Sequence, residues 1–329
     1  MPANLTQQYR KAEAEYRRAS NAEEELQCLQ VMLRELPKHK GTDKLQAELK
    51  QKISRAKKES EQPKKGGKRG GVRIPRQGAG SVVLVGPANS GKSQLLAALT
   101  RATPVVAAYP FTTIQPQPGM MPWEDVMVQI IDTPPVTADF FDPATQSLIR
   151  GADSVLLVVD LGNDGGVLEL QETVQRIAAT KTRLGTRTYL DESDIGVTYT
   201  QTFLVGNKVD LGGSDARLND LQELCPLPFK YFALSATEGS GLEALRDAIY
   251  RSLDVVRVYT KMPTSKNADF DCPFTVPRGG TLMDVAQLVH KDFAKNLKHA
   301  RVWGTEVHDG TYVKGDYIVH DKDVVELHI

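Results

Sequence analysis

Residues 86–93 read Gly-Pro-Ala-Asn-Ser-Gly-Lys-Ser and follow the apolar run Val82-Val83-Leu84-Val85. The spacing G-x-x-x-x-G-K-S between a buried strand and a helix is that of a phosphate-cradling loop. Glycines let the backbone curl so that successive N–H groups converge on phosphate oxygens. Lys92 adds a point charge for the terminal phosphates, and the Ser93 hydroxyl is a ready magnesium ligand. The helix expected from Lys92 onward turns its positive dipole end to the same anion.

Four further clusters lie downstream. Asp132-Thr133 ends an apolar run, where an acidic residue can complete a magnesium shell opposite Ser93. Tyr109-Pro110-Phe111-Thr112-Thr113 supplies Thr113 as a further magnesium ligand. Asn207-Lys208-Val209-Asp210 follows the run 202–206. The Asp210 carboxylate can accept from the N1–H and N2–H₂ donors of guanine, a pair that adenine does not offer. Asn207 can brace base and loop, and the Lys208 stem can lie over the ring. Ser235-Ala236 follows the run 230–234 and can present a backbone N–H to the guanine O6. The nucleotide-binding set is thus Gly86, Ala88, Asn89, Ser90, Gly91, Lys92, Ser93, Gln94, Asn207, Lys208, Asp210, Ser235 and Ala236. Lys92, Thr113, Asp132 and Asn89 are the candidates for catalysis.

These clusters need a scaffold that puts strand ends side by side. Apolar runs at 82–85, 126–131, 154–159, 202–206 and 230–234 alternate with helical patterns near 91–100, 168–180, 214–224 and 241–253. That alternation predicts an α/β fold, a mostly parallel sheet with helices on both faces. Ligands then sit at the carboxyl ends of the strands. Residues 1–62 are expected to form a basic helical hairpin. Leu26, Leu29, Leu33 and Leu36 make one seam, opened by a Ser20/Glu23 capping box, and Leu45, Leu49 and Ile53 make the other. Residues 63–80 read as a flexible Gly/Lys linker, 81–253 as the nucleotide-binding domain and 254–329 as a small α+β unit. In that last unit 255–259, 274–277, 300–303 and 324–329 are expected strands, and 281–293 an expected helix. Tyr312–Asp316 reads as a hairpin loop.

The formal net charge is zero, but residues 1–80 carry 19 Lys/Arg against 10 Asp/Glu, and the remainder 22 against 31. A basic arm on an acidic body points to an anionic partner, nucleic acid foremost, with a solvated helical surface as the alternative. Cys28, Cys225 and Cys272 offer no disulfide framework or zinc spacing, which fits a reducing compartment. No apolar stretch long enough to span a membrane occurs, so a cytoplasmic protein with no membrane partner is expected. The five histidines beyond residue 289 show no metal-ligand spacing. No aromatic pair is spaced in sequence as a base-stacking platform, and Trp303 suits the core or a partner surface as well as it suits a base platform.

On these motifs the chain resembles the Obg/DRG family of GTPases, translation-factor-like proteins with a C-terminal TGS domain. The second block of the resemblance is Val256–Lys261, Ala300–Gly304 and Asp321–Val325. It implies a ubiquitin-like β-grasp fold for the TGS part, GTP and GDP as ligands, Mg²⁺ as cofactor, and association with RNA or ribosomes. Some members use potassium, ligated by an asparagine that Asn89 matches; shaping the loop alone is the equal alternative for Asn89.

The chain departs from the family at the second switch, where Asp-x-Pro-Gly becomes Asp132-Thr133-Pro134-Pro135. The glycine N–H senses the γ-phosphate in such proteins, and Pro135 has none. A charge-assisted bond of about 1.5–3 kcal/mol is removed. Val136 stands where many GTPases place a water-orienting glutamine. Two readings follow: a slow or conditional GTPase acting as an RNA- or ribosome-associated switch, and a non-hydrolysing GTP-binding adaptor whose basic arm and TGS domain bind RNA or a protein.

Overall fold

The computed structural model describes residues 5–19, 22–37, 42–61, 74–100, 115–138, 140–263 and 268–329. Three helices open the chain: α1 (Gln7–Arg18), α2 (Ala22–Glu35) and α3 (Asp43–Glu61). The two-helix hairpin expected over 1–62 is therefore short by one helix. Helix α1 is polar in sequence and is fixed by tertiary contacts. Thr6 caps it by accepting from the Tyr9 amide at 3.1 Å, and Tyr9, Ala12 and Tyr16 pack on Leu29, Met32, Leu45 and Leu49. Ser20 lies outside the described residues.

The central unit runs β1 (Ser81–Val85), α4 (Lys92–Leu99), β2 (Gln117–Trp123), β3 (Val126–Asp132), α5 (Pro143–Gly151), β4 (Ser154–Asp160) and α6 (Gly166–Ala178). It continues with β5 (Thr182–Gly185), β6 (Tyr189–Leu190), β7 (Thr198–Asn207), α7 (Ser214–Leu224), β8 (Lys230–Ala233) and α8 (Leu242–Ser252). The sheet order is β2-β3-β1-β4-β7-β5, with β8 also along β7. Strands β3, β1, β4, β7 and β8 pair in parallel, while β2 joins β3 antiparallel. Strands β1 and β4 are buried at every position, as parallel strands covered on both faces must be. One apolar core, with Val82, Leu84, Leu95, Ile130 and Leu245, fills one side; another, with Val83, Val85, Leu157, Val159 and Leu170, fills the other.

The C-terminal unit runs β9 (Val255–Thr260), β10 (Asp269–Pro277), α9 (Leu282–Val289), α10 (Lys291–Asn296), β11 (His299–Gly304), β12 (Val307–Val313) and β13 (Asp323–His328). Its sheet order is β10-β9-β13-β11-β12, with the first and last strands of the unit parallel at the centre. This is a β-grasp, with α9 closing the core of Val256, Val258, Ala300, Val302 and Val325. Tyr312 and Val313, expected in a hairpin loop, instead end β12 and pair with Arg301 and Ala300. Asp309-Gly310 reads locally as a turn, and cross-strand pairing overrides it.

Contacts tie the three units together. Arg17 donates to the Ala152 carbonyl at 2.8 Å, Arg18 pairs with Asp153 at 3.1 Å, and the Leu190 amide donates to Glu13 at 2.8 Å. Part of the N-terminal positive surplus is thus used inside the molecule. Residues 63–73 of the expected linker lie outside the described residues, whereas 74–80 hold to the sheet. There Gly78 bridges Val128, Arg76 pairs with Asp153, and the Pro75 carbonyl accepts from Gln129 at 2.9 Å.

Between the central and C-terminal units, Arg257 is only 6 % exposed and bonds to Asp125 at 2.9 Å, to Asp321 at 2.8 and 3.1 Å, and to Glu124. Tyr259 also donates to Asp125. Glu124 and Asp125 form the turn of the β2–β3 hairpin, so β9 grips the hairpin that leads directly to Asp132. Arg257→Met should cost about 2 kcal/mol, discounted because the carboxylates keep some water. In a chain of this size the thermal midpoint should then fall by roughly 3 °C, read by differential scanning fluorimetry. An unchanged midpoint would reduce the cluster to a surface contact.

Candidate nucleotide site

At the carboxyl end of β1 the chain turns sharply. Gly86 packs so closely that an added Cβ would lie 2.4 Å from the Val158 carbonyl oxygen. Asn89 adopts φ 58°, a left-handed conformation that asparagine tolerates, and its side chain is exposed. Gly91 sits at φ 89°, where a Cβ would lie 2.1 Å from Asn207 Nδ2. Only glycine lets the loop pass beneath that amide.

Lys92 opens α4 and is buried, donating to the carbonyls of Gly86 at 3.0 Å and Pro87 at 2.6 Å. Burial pulls its ammonium down to about 8, with the Asp132 charge acting in the opposite direction. The Ser93 hydroxyl donates to Asp132 at 2.5 Å, and Asp132 is buried at the end of β3. Strand register sets Asp132 beside Leu84, which brings the carboxylate under the loop. A hydroxyl and a carboxylate converging at a helix N-terminus fit a hard cation that also binds phosphate oxygens, as Mg²⁺ does. Thr113 lies outside the described residues.

Asn207 joins three strand ends. Its Nδ2 donates to the Ser90 carbonyl at 3.0 Å, and its Oδ1 accepts from the Ala236 amide at 3.0 Å. The side chain is buried, so both bonds form away from water. The Leu161 amide donates to the Asn207 carbonyl at 3.0 Å, linking β4 to the same node. Lys208, at φ 66°, reaches across the loop to the Asn89 carbonyl at 2.8 Å and to Asp160 at 2.6 Å. Asp210 is exposed in the turn closed by the Leu211 amide and the Lys208 carbonyl at 3.1 Å. Ser235 is buried and accepts from the Glu238 amide at 3.0 Å, shaping the last loop. Gln94 follows Ser93 on the first turn of α4, and Ala88 lies in the loop itself.

Sequence reasoning missed three participants. Asp160 ends β4, is buried, and accepts from Gly162 N at 2.7 Å and Asn163 Nδ2 at 2.9 Å as well as from Lys208. Its signal was available: it ends an apolar run, as Asp132 does. The other two hold the segment Thr133–Val136. The Val136 amide donates to the Gly86 carbonyl at 3.2 Å, and its own carbonyl accepts from the buried Thr173 hydroxyl at 3.0 Å. Thr133 Oγ1 also donates to the Leu84 carbonyl at 2.7 Å. Val136, read earlier for what valine cannot do to water, is 1 % exposed and part of the core around Val83 and Val159.

Residues 81–188 match the family model described as 50S ribosome-binding GTPase, and residues 256–329 match that of the TGS domain. An uncharacterized GTP-binding protein of Methanocaldococcus jannaschii is 27% identical over 93% of this chain and 92% of its own length. A developmentally-regulated G-protein of Arabidopsis thaliana is 26% identical over 92% of this chain and 90% of its own. The structure of the Schizosaccharomyces pombe YchF GTPase superposes with a TM-score of 0.50 and 12% identity, covering 78% of this chain and 99% of that one. The chain carries a GTPase domain of the P-loop fold followed by a TGS domain. Among the described residues no helix is long and apolar enough to cross a membrane, and no cluster of three metal-ligating side chains occurs.

Proposed function

We propose that this chain is a GTP-binding protein and a slow or conditional GTPase, serving as an RNA- or ribosome-associated regulatory switch. One observation carries the reading: Asn207 bonds the phosphate loop through Ser90 and the last loop through Ala236, with Asp210 exposed beside it. That geometry couples a phosphate cradle to a carboxylate suited to guanine, and an adenine-directed loop has no use for it. The relatives' names, GTP-binding protein and G-protein, point the same way. The ribosomal part rests on the family model's description and on the basic N-terminal segment.

In this reading the loop N–H groups of Ala88 to Gln94 and the α4 N-terminus receive the phosphates, and Lys92 holds the terminal ones. Ser93, Asp132 and Thr113 would hold Mg²⁺, which neutralises charge developing on the phosphates. Asp160 fixes Lys208, whose stem can then flank the base. Asn89 is positioned either to ligate K⁺ or only to shape the loop, and its left-handed backbone supports the second role independently.

The non-hydrolysing adaptor remains as a second reading because Val136 is bonded at both its amide and its carbonyl. A segment held that way, with Pro135 unable to donate, has little means of sensing a γ-phosphate. Single-turnover GTP hydrolysis in potassium and in sodium buffers separates the two. Unassisted turnover near 10⁻⁴ per second or below is expected, given the scale for GTPases lacking an arginine finger. Pro135→Gly should raise it roughly tenfold to a hundredfold by restoring one charge-assisted bond. Fast turnover in sodium, unchanged by that substitution, would sink the account of the second switch.

A further inference from the structure

Along the β-grasp strands Ala300, Val302, Val325 and Leu327 turn into the core. The residues that alternate with them turn outward, and beside Val324 and Glu326 they are His299, Arg301, Trp303 and His328. Register places His299 opposite His328 and Arg301 opposite both Glu326 and Tyr312. The His299 and His328 rings stack at 4.7 Å and 9°, and His299 lies 5.3 Å from the Tyr312 ring. The Arg301 guanidinium sits 4.8 Å over Tyr312, and the Lys261 ammonium 4.5 Å over the Trp303 ring. Gly310, the neighbour of the indole on β12, has no side chain to cover it. These neighbours are brought together by the pairing of β11 with β12 and β13 and by the arrival of Lys261 from the end of β9, which a linear spacing does not disclose.

Away from the β9 end, where Arg257 meets Glu124, Asp125 and Asp321, the exposed charge on this face has one sign. Among the described residues, Glu326 is the carboxylate that β11, β12 and β13 turn to this side, and it is 6 % exposed beneath Lys261 at 3.3 Å and His328 at 2.8 Å. What solvent meets is Arg301, Lys261 and aromatic edges, with Tyr312 61 % exposed. A sheet face that combines open rings with cations suits unpaired bases, which stack on aromatic and guanidinium planes while cations track the phosphates. A duplex hides those base faces. A protein partner of ordinary composition would gain from the rings but would find no exposed carboxylate on this side of β11, β12 and β13 to meet its own cations.

We propose that the outward face of the C-terminal sheet binds single-stranded RNA, with Tyr312 and Trp303 stacking bases and Arg301 and Lys261 holding the backbone. This rests on the RNA-associated reading above and names the surface and the ligand form. The test uses the full chain loaded with GDP and a fluorescein-labelled (CA)n RNA of about 12 nucleotides. Anisotropy is followed at one fixed salt concentration, for the single strand and for the same strand annealed to its complement. The wild type should prefer the single strand. Tyr312→Ala should weaken single-strand binding roughly fivefold to a hundredfold, leave duplex binding and GDP affinity unchanged, and be largely rescued by Tyr312→Phe. Wild-type binding of the single strand that Tyr312→Ala leaves untouched overturns the proposal alone and moves RNA binding to the N-terminal segment. Binding of neither RNA overturns the RNA reading as well and leaves the face to a protein.

Discussion

Asp210→Ala should lower GTP affinity by roughly 10²–10⁴-fold and abolish the preference for GTP over ATP, read by titration calorimetry. The carboxylate stands exposed one turn beyond Asn207, in a loop fixed by the buried bonds of Asn207 to Ser90 and Ala236. Two charge-assisted hydrogen bonds to guanine, at about 1.5–3 kcal/mol each, give the expected range. Exposure makes the variant a clean probe, because no buried group loses its partner when the carboxylate goes. Folding should be unchanged, so a loss of affinity reports recognition. A variant that keeps its GTP preference would place the base elsewhere.

Lys92→Ala should weaken GTP and GDP by a similar factor while leaving base preference intact. Lys92 is buried under the loop, and burial already disfavours its charged form, so nearby phosphate is what the ammonium is placed to meet. Contacts to two phosphates, again about 1.5–3 kcal/mol each, set the size of the effect. The two substitutions are therefore orthogonal. One removes selectivity for the base, and the other removes affinity for the phosphates. Guanosine binding should fall in the first and survive in the second. Equal losses of guanosine binding in both would mean that Lys92 acts by holding the loop together.

Most of the central scaffold was legible because its strands are buried on both faces and read as unbroken apolar runs, as at 82–85 and 154–159. The site followed from those runs, since each cluster ends one of them. Strand β2 was not legible. Pro118, Gly119 and Pro122 interrupt it, and an edge strand paired on one side only can accept them. Helix α5 is absent from the helical patterns read above, although Asp142 caps it through the Thr145 amide at 3.3 Å and Pro143 begins it. The helix expected over 281–293 breaks at His290, whose extended backbone ends α9 and whose Nδ1 accepts from the Asp292 amide at 3.2 Å. The hold on Val136 and the ladder of rings on the C-terminal sheet are contacts between distant segments. Composition and spacing carry no signal for either.

Pro135 and Val136 shift the emphasis from switching toward binding. The loop, the Asn207 node and Asp132 converge as a nucleotide site should, while Val136 is bonded to Gly86 and Thr173. The grip of Arg257 on the β2–β3 turn lies at the other end of the strand that carries Asp132, so the C-terminal unit bears on the same element.

The most direct measurement is a calorimetric titration of the unaltered protein with GTP and with ATP in the presence of Mg²⁺. GTP should bind at least about a hundredfold more tightly than ATP. Equal affinities, or no binding of GTP, would contradict the account.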